Sequence, residues 1–335
     1  MTATLPAEVT ATRTLVQPAL HAAVDELDPA MRRVVGYHLG WVDENGETVT
    51  DGGGKALRPA LALLAAQAVR ADAVAALPGA VAVELVHNFS LLHDDVMDGD
   101  VERRHRPTVW RLFGTPTAIL AGDALLTLAV DVLERAAVPA ATSCLTESVQ
   151  QLISGQSKDI DFERRTDVAL GECLEMAEGK TGALMRGAAR IGGLLGGAAP
   201  EVAGLLGGFG GNLGMAFQLV DDLLGIWGSP EVTGKPVLAD LRVRKKSVPV
   251  VAALDSGTAE GAALRQLYRQ SDPPTEEELH RMAELIERSG ALAWTREAAQ
   301  RYVVEAQACL DRLRPPAEIH AALGELTRFV VERDR

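Results

Sequence analysis

Lysine is scarce in this chain of 335 residues: of 33 basic side chains only six are lysines, Lys55, Lys158, Lys180, Lys235, Lys245 and Lys246. Arginine carries the rest, so each lysine marks a position to explain. Cysteine is rarer still. Cys144, Cys173 and Cys309 lie far apart with no CxxC pair, which argues against a disulfide framework or a thiolate zinc site and fits a reducing cytoplasm. A basic excess is also lacking: 33 Lys and Arg against 46 Asp and Glu leave a net charge of −13. That balance disfavours broad attraction to nucleic acid or anionic lipid, both of which need a basic surface, although a local basic pocket remains compatible with it. Met1 to Thr10 has no basic segment leading into an apolar run, so no signal peptide is expected.

Several familiar sites are missing as well. The seven histidines are scattered without an HExxH, which argues against a zinc hydrolase. Gly179-Lys180-Thr181 resembles the tail of a P-loop, but Leu174 stands where the first glycine is required. Gly208 to Gly214 fails as GxGxxG because Leu213 occupies the last glycine position. Val202 to Val220 is uncharged and long enough to cross a bilayer. Six glycines, Asn212 and Gln218 dilute it, and Asp221-Asp222 follow, so it reads as a buried helix of a soluble protein whose small residues permit close packing.

The composition is that of an ordinary soluble protein, with 47% hydrophobic and 24% charged residues. Ala, Leu, Glu and Arg dominate long stretches, and alternating β-branched runs bounded by hairpin turns are scarce, so an all-α fold is predicted. Helices are expected over Pro18–Leu39, from near Lys55 to Ala71, and over Leu77–Val101, Ala118–Ala137, Ala141–Glu163, Asp167–Leu194 and Val202–Ile226. Further ones are expected over Val248–Asp255, Gly261–Gln270, a segment from Thr275 to Ser289, Ala291–Leu313 and Pro316–Glu332. Thr275 and Glu278 form a capping-box pattern. With no fixed-period repeat and no low-complexity linker, residues 1–335 read as one helical domain, in which a site forms where side chains of facing helices converge.

Two acidic patches end apolar helices. Asp94 and Asp98, in His93-Asp94-Asp95-Val96-Met97-Asp98, are four residues apart and share one helical face, where like charges repel unless a cation lies between them. Mg²⁺, which takes hard oxygen ligands and keeps several waters, would supply that charge and bridge to a substrate phosphate. Asp221-Asp222 follow a second apolar run, suggesting one cavity with metal ions on opposing walls. Cations alternate with these acids. Lys55 and Arg58 stand behind Gly52-Gly53-Gly54 on an expected first helical turn, where backbone amides favour an anion. Arg103, Arg104 and Arg106 follow the first acids, and Lys235, Arg242, Arg244, Lys245 and Lys246 follow the second. Acid, cation and glycine together are the composition of a diphosphate site.

These motifs, running from Gly53 to Pro249, resemble those of the trans-isoprenyl diphosphate synthases, the polyprenyl synthetases that make farnesyl and geranylgeranyl diphosphate. The resemblance implies a bundle of long helices around a central substrate cavity and a cytoplasmic, Mg²⁺-dependent prenyltransferase, homodimeric as is usual in the family. Its substrates would be isopentenyl diphosphate and an allylic diphosphate (dimethylallyl, geranyl or farnesyl). It assigns Lys55, Arg58, His87 and Arg104 to isopentenyl diphosphate, and Asp94, Asp95 and Asp98 to the first aspartate motif. Arg103 falls to the allylic diphosphate. Lys180, Thr181, Gln218, Asp221, Asp222, Lys235, Asp240 and Lys245 match further diphosphate and metal positions, the metal ligands proper being Asp94, Asp98, Asp221 and Asp240. The last aspartate of the second motif is replaced by Gly225, which the resemblance implies is tolerated, because the metal is held mainly by the first aspartate with help from the later one that Asp240 resembles, and Ala56 replaces a frequent basic residue.

Phe89 lies five residues before Asp94, about 7.5 Å back along a helix, with small Ser90 beside it. In the family this pattern resembles short-chain enzymes that stop at geranylgeranyl diphosphate, so a C20 product is expected, with farnesyl diphosphate or another length as the alternative. A class I terpene cyclase would need an NDxxSxxxE-type motif, which is missing here, and a non-catalytic partner subunit would have lost metal or cation residues that are present. Four of the six lysines, Lys55, Lys180, Lys235 and Lys245, fall on motif positions. Scarce lysine thus marks the expected site.

Overall fold

Asp28 breaks the first expected helix in two. In the computed structural model, which describes residues 7–49, 56–230 and 236–332, α1 (Ala7–Val24) and α2 (Pro29–His38) replace the single span predicted over Pro18–Leu39. The Asp28 carboxylate accepts from the backbone N–H of Ala30 at 2.9 Å and of Met31 at 3.2 Å. Pro29 opens α2, where its missing N–H leaves no bond unmade. Next come α3 (Leu57–Ala68) and α4 (Leu77–Met97). A ribbon of β1 (Glu102–Arg103) and β2 (Arg106–Pro107), not foreseen from sequence, links α4 to α5 (Val109–Phe113).

α6 (Thr115–Glu134) and α7 (Pro139–Arg164) follow. The helix expected over Asp167–Leu194 is interrupted. α8 (Leu170–Ala177) runs into a π-helical turn, Glu178–Gly182, before α9 (Ala183–Leu195). α10 (Pro200–Trp227) is the central element, packed chiefly against α9 and against α15 (Ala291–Leu313). It carries the uncharged glycine-rich run, and its buried Leu206, Phe209, Leu213 and Leu219 confirm a core helix. A β-carbon at Gly210 would lie 3.0 Å from the Met185 carbonyl carbon, so the small residue permits backbone-level approach of α9. α11 (Ala239–Arg242), α12 (Val248–Leu254), α13 (Ala259–Tyr268), α14 (Glu276–Arg288) and α16 (Ala317–Val331) complete the described chain. The Thr275 capping box forms, with the Thr275 N–H donating to Glu278 at 2.8 Å.

The main core joins α1 to α7 with α9, α10 and the C-terminal helices, while a second cluster gathers the end of α10 with α11 to α14. Two stretches, Ala73–Met97 and Thr115–Glu134, are long and apolar enough to cross a membrane, but the first is mostly buried in the protein. On α6, Ile119 and Leu120 remain exposed.

Candidate active site

α4 ends where its acids begin. Met97 is its last residue, and the Asp98 N–H donates to the Asp94 carbonyl at 2.8 Å, so the two carboxylates stand one turn apart on one face as the spacing predicts. Burial raises the Asp94 carboxyl to about 6 against the pull of the Lys180 charge, and Asp98 pushes it the same way. Asp98 is raised by burial as well. Asp95 points elsewhere: it is buried and accepts from Arg103 Nε at 2.7 Å, while its second oxygen has no partner among the described residues. Burial raises it to about 6 despite the guanidinium.

The opposite wall comes from α10. Asp222 is buried, and its carboxylate accepts from Gln218 Nε2 at 2.7 Å and from the Val248 N–H at 2.8 Å, the start of α12. Gln218 in turn accepts from the Thr181 hydroxyl at 2.5 Å. Thr181, Gln218 and Asp222, all expected at the site, therefore form a chain that ties the π-turn to α10 and α12. Asp221, the neighbour of Asp222, is half-buried on α10.

Gly225 explains its own departure from the motif. A β-carbon there would lie 2.5 Å from Cγ of Asp240, so the Asp240 carboxylate rests directly on the glycine. The missing aspartate and Asp240 compete for one volume. Asp240 holds the position from α11, where the Lys245 N–H donates to its carbonyl at 2.8 Å.

Between the walls stand two lysines. Lys180, in the π-turn, donates to Asp159 at 2.6 Å. Burial works against charge on Lys245, yet Asp240, Asp222, Asp159 and Asp98 together hold its pKa well above the ordinary lysine value. Asp159 was not anticipated from sequence. The available signal was a carboxylate on the α7 face that also carries buried Leu152, Gly155 and Gln156. Of the other basic residues expected nearby, Arg242 pairs with Glu276 at 2.6 Å and Arg244 donates to the Asp272 carbonyl at 2.6 Å. Lys246 donates to the Glu163 carbonyl at 3.3 Å. Among the described residues of that run, Lys245 alone is surrounded by the acids. Lys55 and Lys235, with Gly53 and Gly54, lie outside the described residues.

A second positive group adjoins α4. Burial first, then Arg58, Arg104, Arg103 and His38, push the His87 pKa well below its usual value. His38, at the end of α2, is driven to about 3 by burial and by Arg104 and Arg103. Arg58 is the second residue of α3, and its Nε is buried without a partner among the described residues. Glu84, buried on α4, faces Arg58 and Arg104 and offsets part of their charge, so three arginines, two imidazoles and one carboxylate share this group. His38 was also missed, because its proximity to the ribbon arises only from tertiary packing. Arg106 by contrast is structural: it donates to the Val42 carbonyl at 2.8 Å and lies 4.2 Å over the Tyr37 ring.

An apolar cavity of about 460 Å³ opens beside Asp94, between α4, α6 and α7, with Phe89, Ser90, His93 and Gln156 among its lining residues. Phe89 meets His93 edge to face at 4.9 Å, and His93 Nε2 lies 3.1 Å from the Ile119 carbonyl of α6.

All the candidate ligands are carboxylates, the hard donors Mg²⁺ takes, and burial with neighbouring carboxylates raises both Asp94 and Asp98 despite the charge of Lys180. Among the described residues no three His, Cys, Asp or Glu side chains converge to hold an ion alone.

Residues 40–286 match the family described as polyprenyl synthetase. The chain is 50% identical over 325 residues to (2E,6E)-farnesyl diphosphate synthase of Mycobacterium tuberculosis, covering 95% of this chain and 90% of that protein. Geranylgeranyl diphosphate synthase of the same organism is 41% identical over 314 residues, 92% of this chain and 89% of that one. Among solved structures, polyprenyl synthetase from Streptomyces coelicolor superposes with a TM-score of 0.93 at 48% identity over 97% and 99% of the two chains. Geranylgeranyl pyrophosphate synthase from Corynebacterium glutamicum, complexed with isoprenyl diphosphate and magnesium, gives 0.82 at 26% identity over 99% and 100%. An all-helical frame with facing acids, enclosed lysines and an apolar pocket is that of a prenyltransferase. The chain belongs to the polyprenyl synthetase family.

Proposed function

We propose that the chain condenses isopentenyl diphosphate head to tail with an allylic diphosphate, with Mg²⁺, and stops mainly at farnesyl diphosphate (C15). The observation that carries the reaction is the pair of acid walls enclosing Lys180 and Lys245, with a separate cationic group beside α4 and an apolar pocket opening at Asp94. Asp94, Asp98, Asp221 and Asp240 would hold Mg²⁺, which when bound supplies Lewis-acid stabilisation of the leaving diphosphate. Lys180, Lys245, Arg103 and Lys235 neutralise the charge that develops on that diphosphate as the C–O bond ionises. Arg58, His87, Arg104 and Lys55 hold isopentenyl diphosphate so that its double bond reaches the allylic cation. Loss of a proton to the departing diphosphate completes the product, and no side-chain nucleophile takes part.

The sequence pattern at Phe89 and Ser90 favoured C20, but identity with the farnesyl synthase exceeds that with the geranylgeranyl synthase, 50% against 41%, and supports C15. Phe89, edge to face with His93, lines the pocket and would act as its floor. We further read the chain as one domain working in the cytoplasm as a homodimer, with the exposed apolar side of α6, Ile119 and Leu120, covered by a second copy. The reaction is tested by Asp94→Ala assayed with Mg²⁺ and both substrates. Loss of about 10²- to 10³-fold in kcat is expected, and turnover at the wild-type rate overturns the assignment.

A further inference from the structure

His93 stands in the α4 wall of the apolar cavity beside Asp94, its side chain 23% exposed. Its Nε2–H donates to the Ile119 carbonyl at 3.1 Å, which ties the ring to the backbone of α6, and Asp123 Oδ1 lies 3.8 Å from the same nitrogen. One turn back along α4 it meets Phe89, with 4.9 Å between ring centres and 69° between ring planes. Against the imidazole lies Gly122 of α6. A β-carbon added there would fall 3.2 Å from Cε1 of His93 and closer still to Nε2 and Cδ2, so the ring occupies the place a side chain would take.

An N–H in an apolar wall is costly unless it is paired, and the Ile119 carbonyl, with its second acceptor position, pairs this one. The bond fixes the ring's rotation, and the bare Cα of Gly122 lets the ring lie back against α6. A prenyl chain anchored by its diphosphate at Asp94 passes His93 before it reaches Phe89, which is about 7.5 Å back along the helix. The room available to that chain therefore depends on where the imidazole rests. A ring pushed off α6 has the cavity beside it as open space, and a ring removed leaves Phe89 without its neighbour on that side.

We propose that His93, seated on Gly122, is a specificity-determining residue of the prenyl transfer: it holds the cavity wall back for the growing chain and keeps Phe89 across the chain's path. This rests on the condensation proposed above. Product length then depends on a contact between α4 and α6, and it moves in opposite directions when the seat is filled and when the ring is removed.

Gly122→Ala, His93→Ala and the double variant test it, each supplied with Mg²⁺, isopentenyl diphosphate and in turn dimethylallyl, geranyl and farnesyl diphosphate, with products resolved by length and Tm recorded. Gly122→Ala is expected to lower kcat/KM for geranyl relative to dimethylallyl diphosphate by about 10-fold, the scale on which apolar pockets discriminate, and to move the main product one isoprene unit down. His93→Ala is expected to move it one unit up, with extension of the main wild-type product rising by about the same factor. The double variant is expected to follow His93→Ala, because the added methyl group then meets no ring. An unchanged product spectrum in His93→Ala overturns the role, as does a double variant that stops as short as Gly122→Ala, or a lowered Tm with product length unmoved in all three. Should Gly122→Ala not fold, the product of His93→Ala decides alone. Wild-type protein that stops at C20 corrects the end point proposed above, and shifts to either side of C20 still establish His93. Wild-type protein that elongates no primer fails the condensation reading itself, and the role of His93 falls with it.

Discussion

Gly225 and Asp240 divide between them what the second aspartate motif ordinarily places on one helix. The glycine looks like a lost ligand in sequence, yet its bare Cα is the surface on which the Asp240 carboxylate lies. Adding the aspartate back would therefore displace Asp240, the proposed ligand. Gly225→Asp is expected to weaken Mg²⁺ binding in the presence of inorganic pyrophosphate by roughly 10- to 100-fold, the range seen when groups that position metal ligands are disturbed. Isothermal titration checks it, and tighter binding contradicts the seat assigned to Asp240. At this scale the sequence made the acids legible, because Asp94, Asp98, Asp221 and Asp222 sit in short local patterns. Asp159 and His38 were not legible: each owes its setting to helices distant in the chain, and local spacing carries no trace of a partner 21 residues away, such as Lys180 is to Asp159.

Helices position these residues through close backbone contact. A β-carbon at Gly155 on α7 would lie 2.7 Å from the Gly179 carbonyl carbon, so α7 and the π-turn touch at main-chain level. One turn beyond Gly155, Asp159 reaches Lys180. Gly155→Ala must push the turn away, costing about 1–3 kcal/mol by overpacking and moving Lys180 from the enclosed acids. A lowered Tm together with a lowered kcat is expected, and a variant with both unchanged contradicts the contact. Helix type and most helix ends could be read from composition and caps, Ala291–Leu313 and the Thr275 capping box among them. The π-turn could not. Residues 167–194 carry an uninterrupted helical pattern, and the extra residue per turn is imposed by the fit of Gly179 and Thr181 against α7 and α10.

For the molecule as a whole, the net charge of −13 disfavours a broad polyanion-binding surface without disfavouring a diphosphate, because part of the acidic excess lies in the proposed metal walls. The fold class followed from the scarcity of strand patterns, and the architecture agrees with solved polyprenyl synthetases. Chain length is the whole-molecule property that sequence pattern settled least, since it depends on how α4, α6 and α7 close the cavity under Asp94 rather than on Phe89 alone. The most direct measurement supplies pure protein with Mg²⁺, isopentenyl diphosphate and, in turn, dimethylallyl, geranyl and farnesyl diphosphate, and resolves products by length. The first two primers are expected to give C15 and farnesyl diphosphate to be left largely unextended. Rapid conversion of farnesyl diphosphate to C20 would contradict the C15 end point, and no elongation of any primer would contradict the account at its centre.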